Sequence, residues 1–156
     1  MAETPEFLAN RLREEGARVI DFFNSLSLDQ WSVVVYLQES KWTLYILLAH
    51  FVASETGRQK LIIDVVSGGK GAPPDFDIDR FNQQQVDGLS NESYSNLLNI
   101  FLQERVRLIE IVGGLRQEDL ERIGNDPFLG EVTISEMIKL TYRHLQIHLR
   151  DARRCI

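Results

Sequence analysis

His144 and His148 stand four residues apart in a stretch whose apolar residues recur at helical spacing, and His50, the third histidine of the chain, falls in another such stretch. Four residues is close to one helical turn, so the paired imidazoles return to one face and can converge on a single ion. A ring from His50 completes a three-nitrogen set, which leaves a metal ion an open coordination position for chemistry. The alternative is that each ring is a hydrogen-bonded core histidine. His50 shares its face with Ile46, Leu47, Ala53 and Ser54, and the pair lies beside Ile134, Ile138, Leu145 and Leu149, so all three lean inward. Spacing and facing together favour the metal.

Three neutral imidazoles suit a divalent ion, zinc or nickel first, with iron, manganese or copper not separated by affinity alone. Water in the open position becomes acidic enough to act as hydroxide, and a bound thiol is deprotonated, so hydrolysis and thiol transfer are both available. Supporting candidates are weaker. Glu55 follows His50 by five residues, about 140° around the helix, which points to an indirect or capping role rather than shared ligation. Asp151, three after His148, can accept an imidazole N–H or pair with a nearby arginine. Asn82 and Phe81 lie in a long connection that could lower an amide over the metal. Tyr142 and Tyr94 can donate protons or simply pack, and Trp31 and Trp42 read as packing anchors.

Competing chemistries fail on spacing. A di-iron carboxylate bundle needs Glu three residues before its histidines, where this chain has Leu47, Thr141 and Leu145. His-Glu-x-x-His, a phosphate loop and paired-cysteine zinc motifs are absent from the sequence. A serine triad has no free histidine, and three converging rings suit one small ion better than haem.

The histidines need a scaffold, and the sequence predicts four long helices. Thr4-Pro5-Glu6 opens the first, carried on by Phe7, Leu8, Leu12, Val19, Ile20, Phe23 and Leu26. A connection over 27–40 contains the β-branched run Val33 to Val35, which could be a short extended piece. The second helix runs from Trp42 to Val66 and stops at a Gly- and Pro-rich cluster ending in Pro73-Pro74. A long, partly ordered connection through Asp75, Ile78 and Phe81 reaches Ser90, which starts a third helix extending to Val112. After a helical turn around Glu118 to Ile123, Thr133 and Glu136 stand at capping-box spacing and open the fourth, which runs almost to the end. Arg150, Arg153 and Arg154 there suit the helix dipole. Four such amphipathic helices make an all-α four-helix bundle, in which the long connection lets helices two and three run parallel by crossing the bundle end.

At 156 residues the chain is the size of one domain, 1–156. The lone Cys155 and a start, MAETPEF, without signal-peptide features predict a cytoplasmic protein. The most apolar run, Leu44 to Ala53, is too short to span a bilayer, so no membrane partner is expected. A net charge of -6 argues against nucleic acid as a partner.

The second-helix segment Trp42-Thr43-Leu44-Tyr45-Ile46-Leu47-Leu48-Ala49-His50-Phe51-Val52-Ala53-Ser54-Glu55 resembles a motif of the DinB/YfiT-like superfamily. Gly130 to Glu136, followed by His144-Leu145-Gln146-Ile147-His148, is similar to that family's fourth-helix start and paired histidines, and Trp31 and Asp79-Arg80-Phe81-Asn82 agree. The resemblance covers nearly the whole chain. It implies an up-down-down-up bundle, frequently a homodimer, with one divalent metal on His50, His144 and His148. It also implies a small-molecule substrate and a low-molecular-weight thiol, since relatives include S-transferases using bacillithiol, mycothiol or glutathione. A mycothiol-dependent maleylpyruvate isomerase of the family has Glu at the position of His144, which counts against its substrate here. A hydrolase using metal-bound hydroxide and a non-catalytic metal-binding or stress-related bundle are the alternatives.

Overall fold

The computed structural model describes residues 3–37 and 40–156. Met1 and Ala2 of the chain start, and Gln38 and Glu39 of the first connection, lie outside the described residues. Helix α1 spans Pro5–Asn24, with the Thr4 hydroxyl accepting from Phe7 N at 3.0 Å and Pro5 where no N–H is needed. The extended piece at Val33 to Val35 is part of a hairpin, β1 (Val34–Leu37) against β2 (Lys41–Thr43), antiparallel and bulged between Val34 and Tyr36. Helix α2 (Leu44–Val66) therefore starts two residues later than its pattern predicts, because Trp42 is taken by the strand and Thr43 caps.

The connection after α2 is more ordered than its breakers suggest. It contains an 11-residue helix, α3 (Ile78–Gly88), capped by Asp77. Helix α4 (Tyr94–Gly113) begins at Ser93, whose hydroxyl accepts from Asn96 N, rather than at Ser90. A second hairpin, β3 (Ile123–Asp126) and β4 (Gly130–Thr133), leads into α5 (Ile134–Arg153). Gly130 closes the turn at φ 77°, a conformation that favours glycine. Thr133 caps α5 by accepting from Glu136 N at 3.2 Å, but the Glu136 carboxylate pairs with Lys139.

Among the described residues the protein is thus mostly helical, with four long α-helices as expected, and the all-α reading needs two short hairpins and a fifth α-helix added to it. α1 and α2 each pack against both α4 and α5, so α2 and α5, the two histidine carriers, are neighbours. No helix among the described residues is long and apolar enough to cross a membrane.

Two apolar clusters fill the interior. One gathers Phe23, Trp31, Leu47, Phe51, Phe101 and Leu145, with Trp31 stacked between Phe23 and Tyr94. The other gathers Leu8, Leu12, Ile62, Leu108 and Ile138. The middle of α2 is different, carrying buried Glu55, Arg58 and Gln59. Each is satisfied by a partner from another element, as buried polar groups require: Glu55 by Arg105, Arg58 by Asp126, and Gln59 by Glu104.

The chain after α2 is sewn to the second hairpin. Ala72 N donates to Asn125 O at 2.9 Å, Asn125 N to Lys70 O at 2.8 Å, and the Asn125 side-chain amide to Ala72 O. Gly71, at φ 88°, permits this approach, since a Cβ there would lie 2.5 Å from the Asn125 carbonyl oxygen. This seam sets one wall of the space above the histidines.

Candidate metal centre

His50 enters from α2, and His144 and His148 from successive turns of α5. One ring nitrogen from each lies within 4.8 Å of the others, and among the described residues this is the one such histidine, cysteine or acidic group of three. Nε2 of His144 and Nε2 of His148 stand 2.9 Å apart. Three imidazole nitrogens gathered in this way could together hold one small divalent ion.

The protons on the rings follow from their neighbours. The Tyr36 hydroxyl, from β1, donates to Asp151 Oδ2 at 2.6 Å and lies 2.8 Å from Nδ1 of His148. With its own O–H donated to the carboxylate, the hydroxyl accepts from His148 Nδ1–H, and the Nε2 lone pair of that tautomer faces Nε2 of His144 and the cluster. Nδ1 of His50 is buried with no hydrogen-bond partner among the described residues. Burial, with repulsion from the other two rings, lowers the His50 pKa to about 3, and burial beside His148 and Arg58 lowers that of His144 to about 4. His148 is also shifted down by burial, against the opposing pull of Asp151. The Tyr36 hydrogen bond lowers the Asp151 pKa, while burial and that same bond raise the Tyr36 pKa. At neutral pH the centre presents three uncharged imidazoles, a donor set that fits a divalent ion of the zinc or nickel type.

The other sequence candidates are placed unevenly. Asp151 touches the centre through Tyr36 rather than by direct contact with an imidazole N–H. Asn82, on α3, borders the space above the rings beside His50 and His144. Glu55 is turned to Arg105, whose Nε donates to it at 2.8 Å in the bundle interior. Tyr142 packs in the second apolar cluster with the Arg11 guanidinium 5.1 Å above its ring. Two residues were not foreseen as parts of the centre. Tyr36 sits 112 residues from His148, and the only local hint was an aromatic ending a β-branched run. Trp42, read as a packing anchor, also walls the site, its ring centroid 5.0 Å from that of His50.

Two adjoining pockets open over the histidines. The larger, about 570 Å³, is lined by Tyr36, Ser40, Trp42, Asp79, Gln83 and His148, among others. The smaller, about 250 Å³, runs between α2, the 71–78 segment and Phe128. Both share His50, His144, Asn82 and Phe128.

Residues 11–152 match the model of the DinB superfamily. The chain belongs to that superfamily. No curated protein matches the chain. Solved structures share the fold at low identity. YfiT from Bacillus subtilis, described as a probable metal-dependent hydrolase with an unusual four-helix bundle topology, aligns at TM-score 0.79 and 13% identity over 97% of this chain and 85% of its own. An uncharacterised protein from Escherichia coli UTI89 aligns at TM-score 0.74 and 13% identity, over 99% of this chain and 95% of the other. The colibactin self-resistance protein ClbS, in complex with a dsDNA, aligns at TM-score 0.76 and 12% identity over 100% and 99%. The ClbS complex corrects the exclusion of nucleic acid drawn from net charge. Charge summed over a whole chain says nothing of how it is distributed over one face, so an acidic balance does not bar DNA from this fold.

Proposed function

We propose that this DinB-superfamily protein is a metal-dependent enzyme in which His50, His144 and His148 hold one divalent ion, zinc or nickel by donor type. The observation that carries the reading is the meeting of three uncharged imidazole nitrogens within 4.8 Å on a floor shared by two pockets. As part of it we take the up-down-down-up helix order implied by family resemblance, with which the packing of α1 and α2 on both α4 and α5 agrees. An ion bound there supplies Lewis acidity, making a thiol or water a better nucleophile near neutral pH.

The rest is done by the chain. Tyr36 and Asp151 fix the tautomer and tilt of His148. Trp42 lies against the His50 ring and Phe128 against that of His144, and the Asn82 amide borders both pockets, where it can orient a polar substrate atom. Two pockets meeting at one centre suit a reaction that joins two molecules, and this supports transfer to or from a low-molecular-weight thiol. A hydrolase is the second reading, favoured by the likeness to YfiT; its discriminator is turnover without added thiol.

Elemental analysis of tag-free protein tests the proposal. Wild type should carry about one metal per chain and His148→Ala far less. Equal, sub-stoichiometric metal in both would remove its basis.

A further inference from the structure

The two pockets differ in chemistry. Apart from the shared His50, His144 and Asn82, the smaller is walled mainly by Ala53, Gly57, Leu61, Phe76, Phe81 and Phe128, with Ser54 as its other uncharged polar side chain. Its charged groups are already spent or turned away. The Arg58 guanidinium is held by Asp126, the Asp64 carboxylate accepts from Gly71 N at 3.0 Å, and Lys60 is exposed. The larger pocket instead presents the Tyr36 hydroxyl, Ser40, Asp79 and Gln83. Several apolar groups around the smaller pocket are incompletely covered. Phe76 is 38% exposed and Phe128 51%, and α3, which contributes Ile78 and Phe81, has no buried residue. An apolar guest would take these surfaces from water, at a gain proportional to the area covered.

Resting on the metal-enzyme reading above, we infer that the smaller pocket receives the uncharged, apolar part of the electrophilic substrate, while the hydrophilic partner enters through the larger. The volume sets the size of the guest. An apolar cavity of roughly 150 Å³ accommodates benzene, so about 250 Å³ holds a substituted ring or two fused rings. His50 and His144 face both pockets and His148 only the larger, so the guest would lie directly beside the centre.

Gly57 offers the sharpest test. It lies within α2, and a Cβ built there meets only Phe81 Cε1, at 3.6 Å, an ordinary contact. A leucine at this position suits a helix better than glycine and projects into the pocket. The probe is the uncharged fluorophore 1-naphthylamine, two fused rings in size, titrated into metal-free protein with zinc uptake of the same samples measured in parallel. Wild type should bind it saturably, Gly57→Leu about tenfold more weakly or worse, and Phe76→Ala severalfold more weakly. Gln83→Trp, which narrows the larger pocket, should leave the affinity within about twofold. Phe76 is in an exposed loop, so its variant serves if Gly57→Leu is poorly folded by circular dichroism. Absence of saturable binding to wild type overturns the inference, as does unchanged affinity in a folded Gly57→Leu or in Phe76→Ala, or loss on Gln83→Trp alone. The probe needs no metal, so normal zinc uptake beside absent probe binding sinks this inference and spares the metal reading. The converse result does the opposite.

Discussion

Arg58 on α2 and Asp126 at the end of β3 form a buried ion pair across 68 residues of chain. The same carboxylate accepts from Phe128 N at 2.8 Å and Leu129 N at 3.2 Å, and the Arg58 guanidinium lies 5.7 Å from the Phe128 ring centroid. One pair therefore positions both the hairpin tip and the aromatic ring that walls the site. Removing one partner leaves the other charged and dry. Asp126→Ala should cost about 3 kcal/mol or more, lowering Tm by roughly 6–12 °C for a chain of this size. Thermal and urea denaturation read this directly, and a loss under about 1 kcal/mol would show the pair to be incidental.

Tyr36→Phe deletes one oxygen while keeping the ring in place. It frees His148 to turn and removes the acceptor for its Nδ1–H. Zinc affinity measured by chelator competition should fall about 10- to 100-fold, with little change in the far-UV spectrum. Unaltered affinity would mean that packing alone holds His148.

Glu55→Gln separates stability from the site. The carboxylate is fully buried against Arg105, which also donates to Leu12 O at 2.8 Å, so neutralising it strands a buried guanidinium. The variant should lose about 3 kcal/mol yet bind one metal with unchanged stoichiometry. Loss of metal from a folded Glu55→Gln protein would restore this residue to the centre.

Acid should destabilise the metal-free protein through its histidines. His50 has a folded pKa of about 3 against an ordinary 6.5, and His144 about 4, so between those values the unfolded chain binds more protons than the native one. The contribution is fully present above pH 6.5 and is lost as pH falls from 6.5 toward 3. Urea midpoints from pH 7.5 to 4 should decline along this window, and His50→Leu should flatten the slope. A slope unaffected by that change would place the acid sensitivity elsewhere.

The long helices were legible because each one carries its own instructions. Thr4-Pro5 and Thr133 cap as their chemistry dictates, and the apolar period of α1 and α5 marks a buried face. α3 was hidden because its stability is tertiary: with no residue buried, it holds by lying against α2 and by the Asp77 cap. The hairpins were hidden for a related reason. Strands of three or four residues carry too short an alternation to announce a partner, and β1 is bulged as well.

The sequence by itself determined that His144 and His148 share one face and that His50 stands in another helix, because helical period is a local property of the backbone. Only the tertiary structure decided which groups complete the centre. It set Tyr36 between His148 and Asp151, and turned Glu55 away to Arg105. A carboxylate or hydroxyl can serve many partners, and its choice depends on which elements the packed helices bring within hydrogen-bond reach.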